Sequence, residues 1–284
     1  MFEISDKNEV GKVIADARVK GMTIGFVPTM GALHDGHLSL VTKSKSDGHF
    51  TVVSIYVNPA QFSPGEDFEK YPRVYEQDKS LLGRCKTDLI YYPSNESLYS
   101  PDFSTWIIEE DISRKLCGRT RREHFRGVLT IVAKLFSIVV PDVAYFGRKD
   151  YQQSVLIKKM VRELDIPVKI EVLPTIRESD GLAMSSRNRN LDAEQRRDAL
   201  IINRTLKTIA KSFETGESSV KKLLSIGKQY FVENSGQAEL EYLEILDPEN
   251  LDEIEKITGR AVVAIAGKVG QTRLIDNLVL PYDE

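Results

Sequence analysis

The chain has 284 residues, 41% hydrophobic and 29% charged, with 18 Gly and 11 Pro; this composition excludes disorder, collagen-like repeats and low-complexity sequence. The formal net charge is −3, from 39 basic against 42 acidic residues, which argues against a dedicated nucleic-acid or membrane-surface protein. Cys85 and Cys117 are too few for a disulfide framework and form no Cys-x-x-Cys pair, so a reducing compartment is expected. The opening MFEISDKNEV carries no apolar signal-peptide core, and the longest nearly apolar run, residues 128–140, is short and broken by Lys134. The expectation is a soluble cytoplasmic protein with neither a membrane nor a nucleic acid as partner.

Residues 6–20 place Val10, Val13, Ile14 and Ala17 at helical spacing, with Ser5 as the expected N-cap and Gly21 as the stop. A buried strand is predicted over 23–27, leading into PTMGALHDG, with a helix opening near Gly36 and carrying Leu38, Leu40 and Val41. A strand over 51–57 ends at the turn signal Asn58-Pro59. A helix over 75–82, a strand over 89–92, a helix over 128–140, a strand over 143–146, a helix over 151–164 and a strand over 168–173 follow. Strands alternating with helices imply right-handed crossovers and a parallel, doubly wound α/β sheet. Ligands of such sheets sit beyond the carboxyl ends of the strands. The informative loops are therefore PTMGALHDGH at 28–37, NPAQF at 58–62 and GRKDYQQ at 147–153. Past residue 176 the alternation stops: helices are expected over 192–212 and 218–231, and strands over 238–246, 261–266 and 272–279. That is a smaller α+β unit, and the boundary is placed within 176–186, dividing the chain into domains 1–176 and 177–284.

Two of the four histidines, His34 and His37, flank Gly36 at a strand-to-helix junction. A helix N-terminus there offers backbone N–H groups and partial positive charge to an anion, and Gly31 and Gly36 leave room for a phosphate. A capping turn with two exposed histidines is the plainer alternative. No supporting cluster makes this pair a metal site. MSSRN at 184–188 offers hydroxyl and guanidinium donors suited to a polyphosphate, or else is a solvated linker. Lys149 is a point charge for phosphate, and Asp150 either caps the next helix or takes a nucleotide hydroxyl. Gln61 can both donate and accept, which suits a hydroxy acid. The basic stretch 114–126 reads as a solvated loop or one facing an anionic substrate, because its aromatic interleaving is limited to Phe125. Cys85, Cys117, His49 and Trp106 read as structural, and His124 as either.

Taken together, PTMGALHDGH, VSIYVNPAQF, YPR at 71–73, HFRGVLTIVAKLF at 124–136, PDVAYFGRKDYQQ at 141–153 and MSSRN resemble the pantothenate synthetases, the AMP-forming pantoate–β-alanine ligases, in order and spacing. The resemblance implies a Rossmann-like sheet of the HxGH nucleotidylyltransferase superfamily, a C-terminal lid domain and a homodimer. It implies the substrates ATP, pantoate and β-alanine, with Mg²⁺ arriving on ATP and no metal-ligating residues of the protein's own, Asp88 being a weak candidate. The reaction would run through pantoyl adenylate, releasing pyrophosphate and AMP, as the last step of pantothenate biosynthesis. Carried over by position, Met30, Gly31, Ala32, Leu33, His34, Asp35, Gly36 and His37 contact ATP. Gly147, Arg148, Lys149, Asp150, Ile176, Met184, Ser185, Ser186 and Arg187 complete the nucleotide set. His37, His34, Lys149 and Arg187 are the catalytic group, and Gln61 and Gln153 bind pantoate, Gln61 also facing β-alanine. Pro28, Met30, Ile131 and Val132 would form the wall for the gem-dimethyl group. Two departures from the pattern are Arg148, where the family carries an acidic residue, and Arg122-Glu123 in place of Pro-Gly. A nucleotidylyltransferase shares the two-histidine loop but would leave the nucleotide on its product; a non-catalytic nucleotide-binding module is the third alternative.

Overall fold

The protein is described by a computed structural model that covers residues 1–63 and 65–282, so the last two residues of the expected second domain fall outside it. The chain opens with β1 (Phe2–Ile4) and α1 (Lys7–Val19). Asp6, not the expected Ser5, caps α1, its carboxylate accepting from the Asn8 and Glu9 amides; a carboxylate there also meets the positive end of the helix dipole. Then come β2 (Ile24–Thr29), α2 (Asp35–Ser46) and β3 (Phe50–Ile55). A 3-10 turn (Pro59–Gln61) precedes α3 (Tyr75–Arg84), β4 (Leu89–Tyr91) and the single turn α4 (Asn95–Leu98). Two 3-10 turns (Ile112–Arg114 and Leu116–Arg119) lead to α5 (His124–Val139) and β5 (Val143–Gly147). A fourth 3-10 turn (Arg148–Asp150) precedes α6 (Tyr151–Glu163) and β6 (Lys169–Leu173).

The six strands pair in parallel in the order β1-β4-β3-β2-β5-β6. The order reverses at β2, because the chain proceeds outward from it through β3 to β4 and later returns to its other side as β5. The crevice beyond the carboxyl ends of β2 and β5 is therefore the switch point at which such sheets hold ligands. Both faces of the sheet are covered, as a parallel sheet requires: Phe26 and Val27 are adjacent on β2 and both fully buried. On one face Val27, Val53, Ile90 and Tyr145 pack with Leu33, Leu40 and Val41.

Among the described residues no helix is long and apolar enough to cross a membrane. The chain forms two compact units. One comprises Met1–Gly147 and Gln152–Pro174; the other takes Arg148–Tyr151 together with the chain from residue 175 onward. Residues 148–151 stand in the expected first domain yet belong with the second unit. The side chain of Asn277 donates to the Arg148 and Lys149 carbonyls, and the Tyr151 hydroxyl donates to the Pro248 carbonyl.

The second unit contains a 3-10 turn (Ser186–Asn190), α7 (Ala193–Glu214), α8 (Val220–Asn234) and the antiparallel sheet β7 (Ala238–Leu246), β8 (Ala261–Val269), β9 (Thr272–Leu280). Ile202, Leu206, Ile209, Leu223, Phe231 and Ile265 form its core. β8 runs through Gly267 to Val269, past the expected end at residue 266, because its pairing with β9 continues unbroken to Thr272.

Candidate active site

The chain leaves β2 through two consecutive left-handed residues, Gly31 at φ +78° and Ala32 at φ +50°. An alanine in this region is uncommon and needs support from its surroundings. The support is Asp78 on α3, 1% exposed, whose Oδ2 and Oδ1 accept from the Ala32 and Leu33 amides at 2.8 Å each. The Thr29 hydroxyl adds an acceptor for the Gly31 amide at 3.2 Å while donating to the Ser54 carbonyl. Only glycine fits at position 31, since a Cβ there would lie 2.9 Å from Asp78 Oδ2 and 3.0 Å from Ile55 Cγ2. The loop is thus held in shape before it reaches the histidines.

His34 is the N-cap of α2, and its Nδ1 accepts from the Gly36 amide at 3.2 Å. His37, one turn in, returns the bond: its Nδ1 accepts from the His34 amide at 3.4 Å. The two rings lie with centroids 4.1 Å apart. The capping turn and the anion site, posed as alternatives on sequence grounds, are therefore compatible. An Nδ1 that accepts leaves the neutral ring its proton on Nε2, so both side chains become Nε2–H donors at a helix N-terminus, an arrangement suited to phosphate oxygens. Asp35 is exposed and Gly36 half-buried in the same first turn.

Gln61, at the end of the turn after β3, donates through Nε2 to the Met30 sulfur at 2.9 Å. Its side chain is set by the buried Asn58, whose Nδ2 donates to Gln61 Oε1 and to the Gly127 carbonyl, both at 3.2 Å. Asn58 Oδ1 accepts from the Ala60 amide and from the Tyr99 hydroxyl; burial pushes that phenol up to about 12, so it stays a donor. The Gln61 carbonyl receives Arg121 and, at 2.8 Å, His124 Nδ1. A carbonyl only accepts, so the neutral His124 ring carries its proton on Nδ1, the opposite tautomer to His34 and His37. Arg121 also forms a two-pronged pair with Glu66, 2.7 Å on each arm. Burial raises the Glu66 carboxyl and the Arg121 guanidinium outweighs it, leaving Glu66 below the usual carboxylate range.

Asp78, Asn58, Arg121 and His124 are the residues that sequence reasoning missed or left undecided. Arg121 and His124 stood within the singled-out basic stretch and family motif, whereas Asp78, 46 residues from Ala32, reads as one more charge on a helix face. Elsewhere in the basic stretch, Arg126 lies over the Trp106 ring and pairs with Glu123. Arg122 and Glu123, which depart from the family pattern, are exposed beside the start of α5. Ile131 and Val132 are buried on α5, while Pro28 and Met30 are half-buried. Gln153 is half-buried in the first turn of α6; it is the neighbouring Gln152 whose amide is fixed, on the Ile112 and Lys115 carbonyls and the Cys117 amide.

In the second unit, Lys149 is half-buried and pairs with the exposed Asp150 at 3.6 Å. The Ile176 carbonyl accepts from the Met184 amide, and the Ser185 hydroxyl caps the next turn by accepting from the Arg187 amide at 3.3 Å. Ser186 and Arg187 are half-buried in that turn, anchored below by Asn188, whose Nδ2 donates to Glu178 and to the Ala183 carbonyl. Gly147 closes β5, and Arg148 is half-buried. Among the described residues, no three His, Cys, Asp or Glu side chains cluster as a metal site. Asp88 does not fit that role: it sits at the amino end of β4, its carboxylate held by Lys45 at 2.6 Å and the Thr51 amide at 2.7 Å.

A sequence profile described as Pantoate-beta-alanine ligase matches residues 3–279. The pantothenate synthetase of Pseudothermotoga lettingae is 48% identical over 280 residues, 99% of each chain. Among solved structures, the pantothenate synthetase of Thermus thermophilus superposes with a TM-score of 0.93 at 39% identity, covering 98% of this chain and 99% of that one. The pantoate-beta-alanine ligase of Francisella tularensis, solved as a complex with β,γ-ATP and β-alanine, superposes at 0.80 with 34% identity, covering 100% and 99%.

Proposed function

Because the chain belongs to the pantoate-beta-alanine ligase family, an amide-forming ligase family, we propose that it joins pantoate to β-alanine at the cost of ATP through an enzyme-bound adenylate. In the first step a pantoate carboxylate oxygen attacks the α-phosphorus of ATP, the bond to the bridging oxygen breaks, and pyrophosphate leaves. In the second the β-alanine amine attacks the acyl carbon, AMP departs with the carboxylate oxygen, and the amine loses a proton.

The observation that carries this reading is the interlocked histidine pair after β2, whose Nδ1 atoms face the backbone and whose Nε2–H groups are assigned to the phosphates. Gln61, set by Asn58, is assigned to pantoate and β-alanine, and Gln153 to pantoate. Lys149 and Arg187 are assigned to the charge that grows on the phosphates during transfer. Gly147, Arg148, Asp150, Ile176, Met184, Ser185 and Ser186 complete the proposed nucleotide set. Mg²⁺ belongs to the proposal as a passenger on ATP, held by phosphate oxygens and water, in keeping with the engaged state of Asp88. A homodimer, a cytoplasmic location and a closing role for residues 177–284 belong to it as well. Protection of 184–187 from hydrogen exchange on adding ATP tests the last of these.

The decisive experiment is exchange of labelled pyrophosphate into ATP with β-alanine left out. Exchange that requires pantoate is expected, and β-alanine should then release AMP and pantothenate in equal amounts. No exchange in folded, ATP-binding protein overturns the reversible adenylate. His34→Ala and His37→Ala should each slow exchange by about 10²–10³, the usual cost of one lost charge-stabilising donor; wild-type exchange in both removes them from the chemistry.

A further inference from the structure

Two neighbouring residues of β9, Asp276 and Asn277, reach both segments of the second unit that the nucleotide assignment uses. Asp276 is 4% exposed and takes Arg177 on both oxygens, at 2.6 and 3.1 Å. Arg177 in turn donates to the Gly181 carbonyl at 3.2 Å and forms a backbone bridge with Ala183, the residue before Met184. The entry to the Met184–Arg187 segment is therefore tied to β9 by a charge pair whose carboxylate is buried and whose guanidinium is half-buried.

Asn277, 5% exposed, gives both hydrogens of its amide to the other segment: Nδ2 lies 3.0 Å from the Arg148 carbonyl and 2.9 Å from that of Lys149. Its own Oδ1 is buried without a hydrogen-bond partner among the described residues. An orphaned buried acceptor is unfavourable, yet turning the amide over would set that oxygen against two carbonyl oxygens, which is worse. The two residues are linked directly, since Asp276 Oδ1 also accepts from the Asn277 amide at 2.8 Å.

We infer that Asp276 and Asn277 are positioning residues for the nucleotide, fixing the Arg148–Asp150 turn and the Met184–Arg187 segment to one strand so that Lys149 and Arg187 meet the phosphates as a set. The inference rests on the nucleotide assignment made above and adds the part that holds it together. A loop whose carbonyls are anchored loses little freedom when a ligand arrives, which is the general benefit of preorganisation.

Asn277→Asp tests it, because the near-isosteric carboxylate replaces both donors with an oxygen facing two carbonyl oxygens. Titration calorimetry with Mg²⁺ and ATP should show Kd for ATP rising by about tenfold or more, with Asn277→Ala in between, while KM for pantoate and for β-alanine moves by less than about twofold. In a Lys149→Ala background the same change should add less than about twofold, since the residue acts through the Lys149 turn. ATP affinity within twofold of wild type in folded Asn277→Asp overturns the inference. So do parallel losses for all three substrates, or full additivity with Lys149→Ala. If Asn277→Asp does not fold, Asn277→Ala supplies the same comparisons. Wild-type protein that binds ATP but makes no pantothenate sinks the ligase reading alone; wild-type protein that does not bind ATP sinks both.

Discussion

Asp78 is the clearest case of a residue whose work is done on the backbone. Its two oxygens accept from the Ala32 and Leu33 amides, and so hold the chain at and just after the consecutive left-handed residues Gly31 and Ala32. Asp78→Asn keeps the shape and turns one oxygen into a donor facing a backbone N–H. The expected result is a stability loss of about 1–3 kcal/mol for the orphaned, desolvated amide, read as a lower Tm, together with a fall in kcat/KM for ATP of at least about tenfold. Full activity in Asp78→Asn would mean the loop keeps its shape without the carboxylate. Glu66 makes a different demand, because its contribution depends on pH. Its folded pKa lies below the ordinary value, so the Arg121 pair stabilises fully above the unfolded carboxylate pKa of about 4.3 and is lost as pH falls through the lower folded value. Denaturation midpoints of wild type and Glu66→Gln should differ at pH 7 and converge below about pH 4; a constant gap across that range would assign the difference to shape alone.

Among the elements, α5 and the turn after β3 show how a glycine places the Gln61 side chain. A Cβ on Gly127 would sit 2.1 Å from the Ala60 carbonyl oxygen and 2.7 Å from the Gln61 amide nitrogen, so helix and turn touch backbone to backbone. Gly127→Ala must push them apart, breaking the Asn58 link to the Gly127 carbonyl and displacing Gln61. KM for pantoate and β-alanine should rise by about tenfold or more while ATP-dependent Tm shifts persist; unchanged KM values in the folded variant would detach Gln61 from those substrates. Most elements were legible because parallel strands are continuous apolar runs between amphipathic helices. β1 was not: it is three residues long, two of them exposed, and is a strand only through its pairing with β4 at the sheet edge. α5 begins at His124, four residues before the expected 128, because polar and charged residues in its first turn mask the helical period. The histidine loop was legible because two of four histidines share it, whereas Asp78 and Asn277 act on backbone far away in sequence and leave no local pattern.

At the scale of the molecule, each unit has a core of its own, one built on a parallel sheet and the other on an antiparallel sheet with two helices. The units are not contiguous in sequence, because the second includes Arg148–Tyr151. A break after Pro174 looks natural by composition, yet it strands the segment that Asn277 and the Pro248 carbonyl hold.

That discontinuity bears on how such a chain can be recombined. A crossover after residue 174 that brings in a relative's C-terminal part would seat four resident residues against a foreign β9 partner. Replacing 148–151 along with it transplants the whole unit. The single-crossover hybrid should melt lower than the double-crossover one, and equal melting would show the four residues to be interchangeable among relatives. Gene shuffling within this family should therefore leave an inheritance in two pieces, the short insert at 148–151 co-varying with a strand more than a hundred residues downstream.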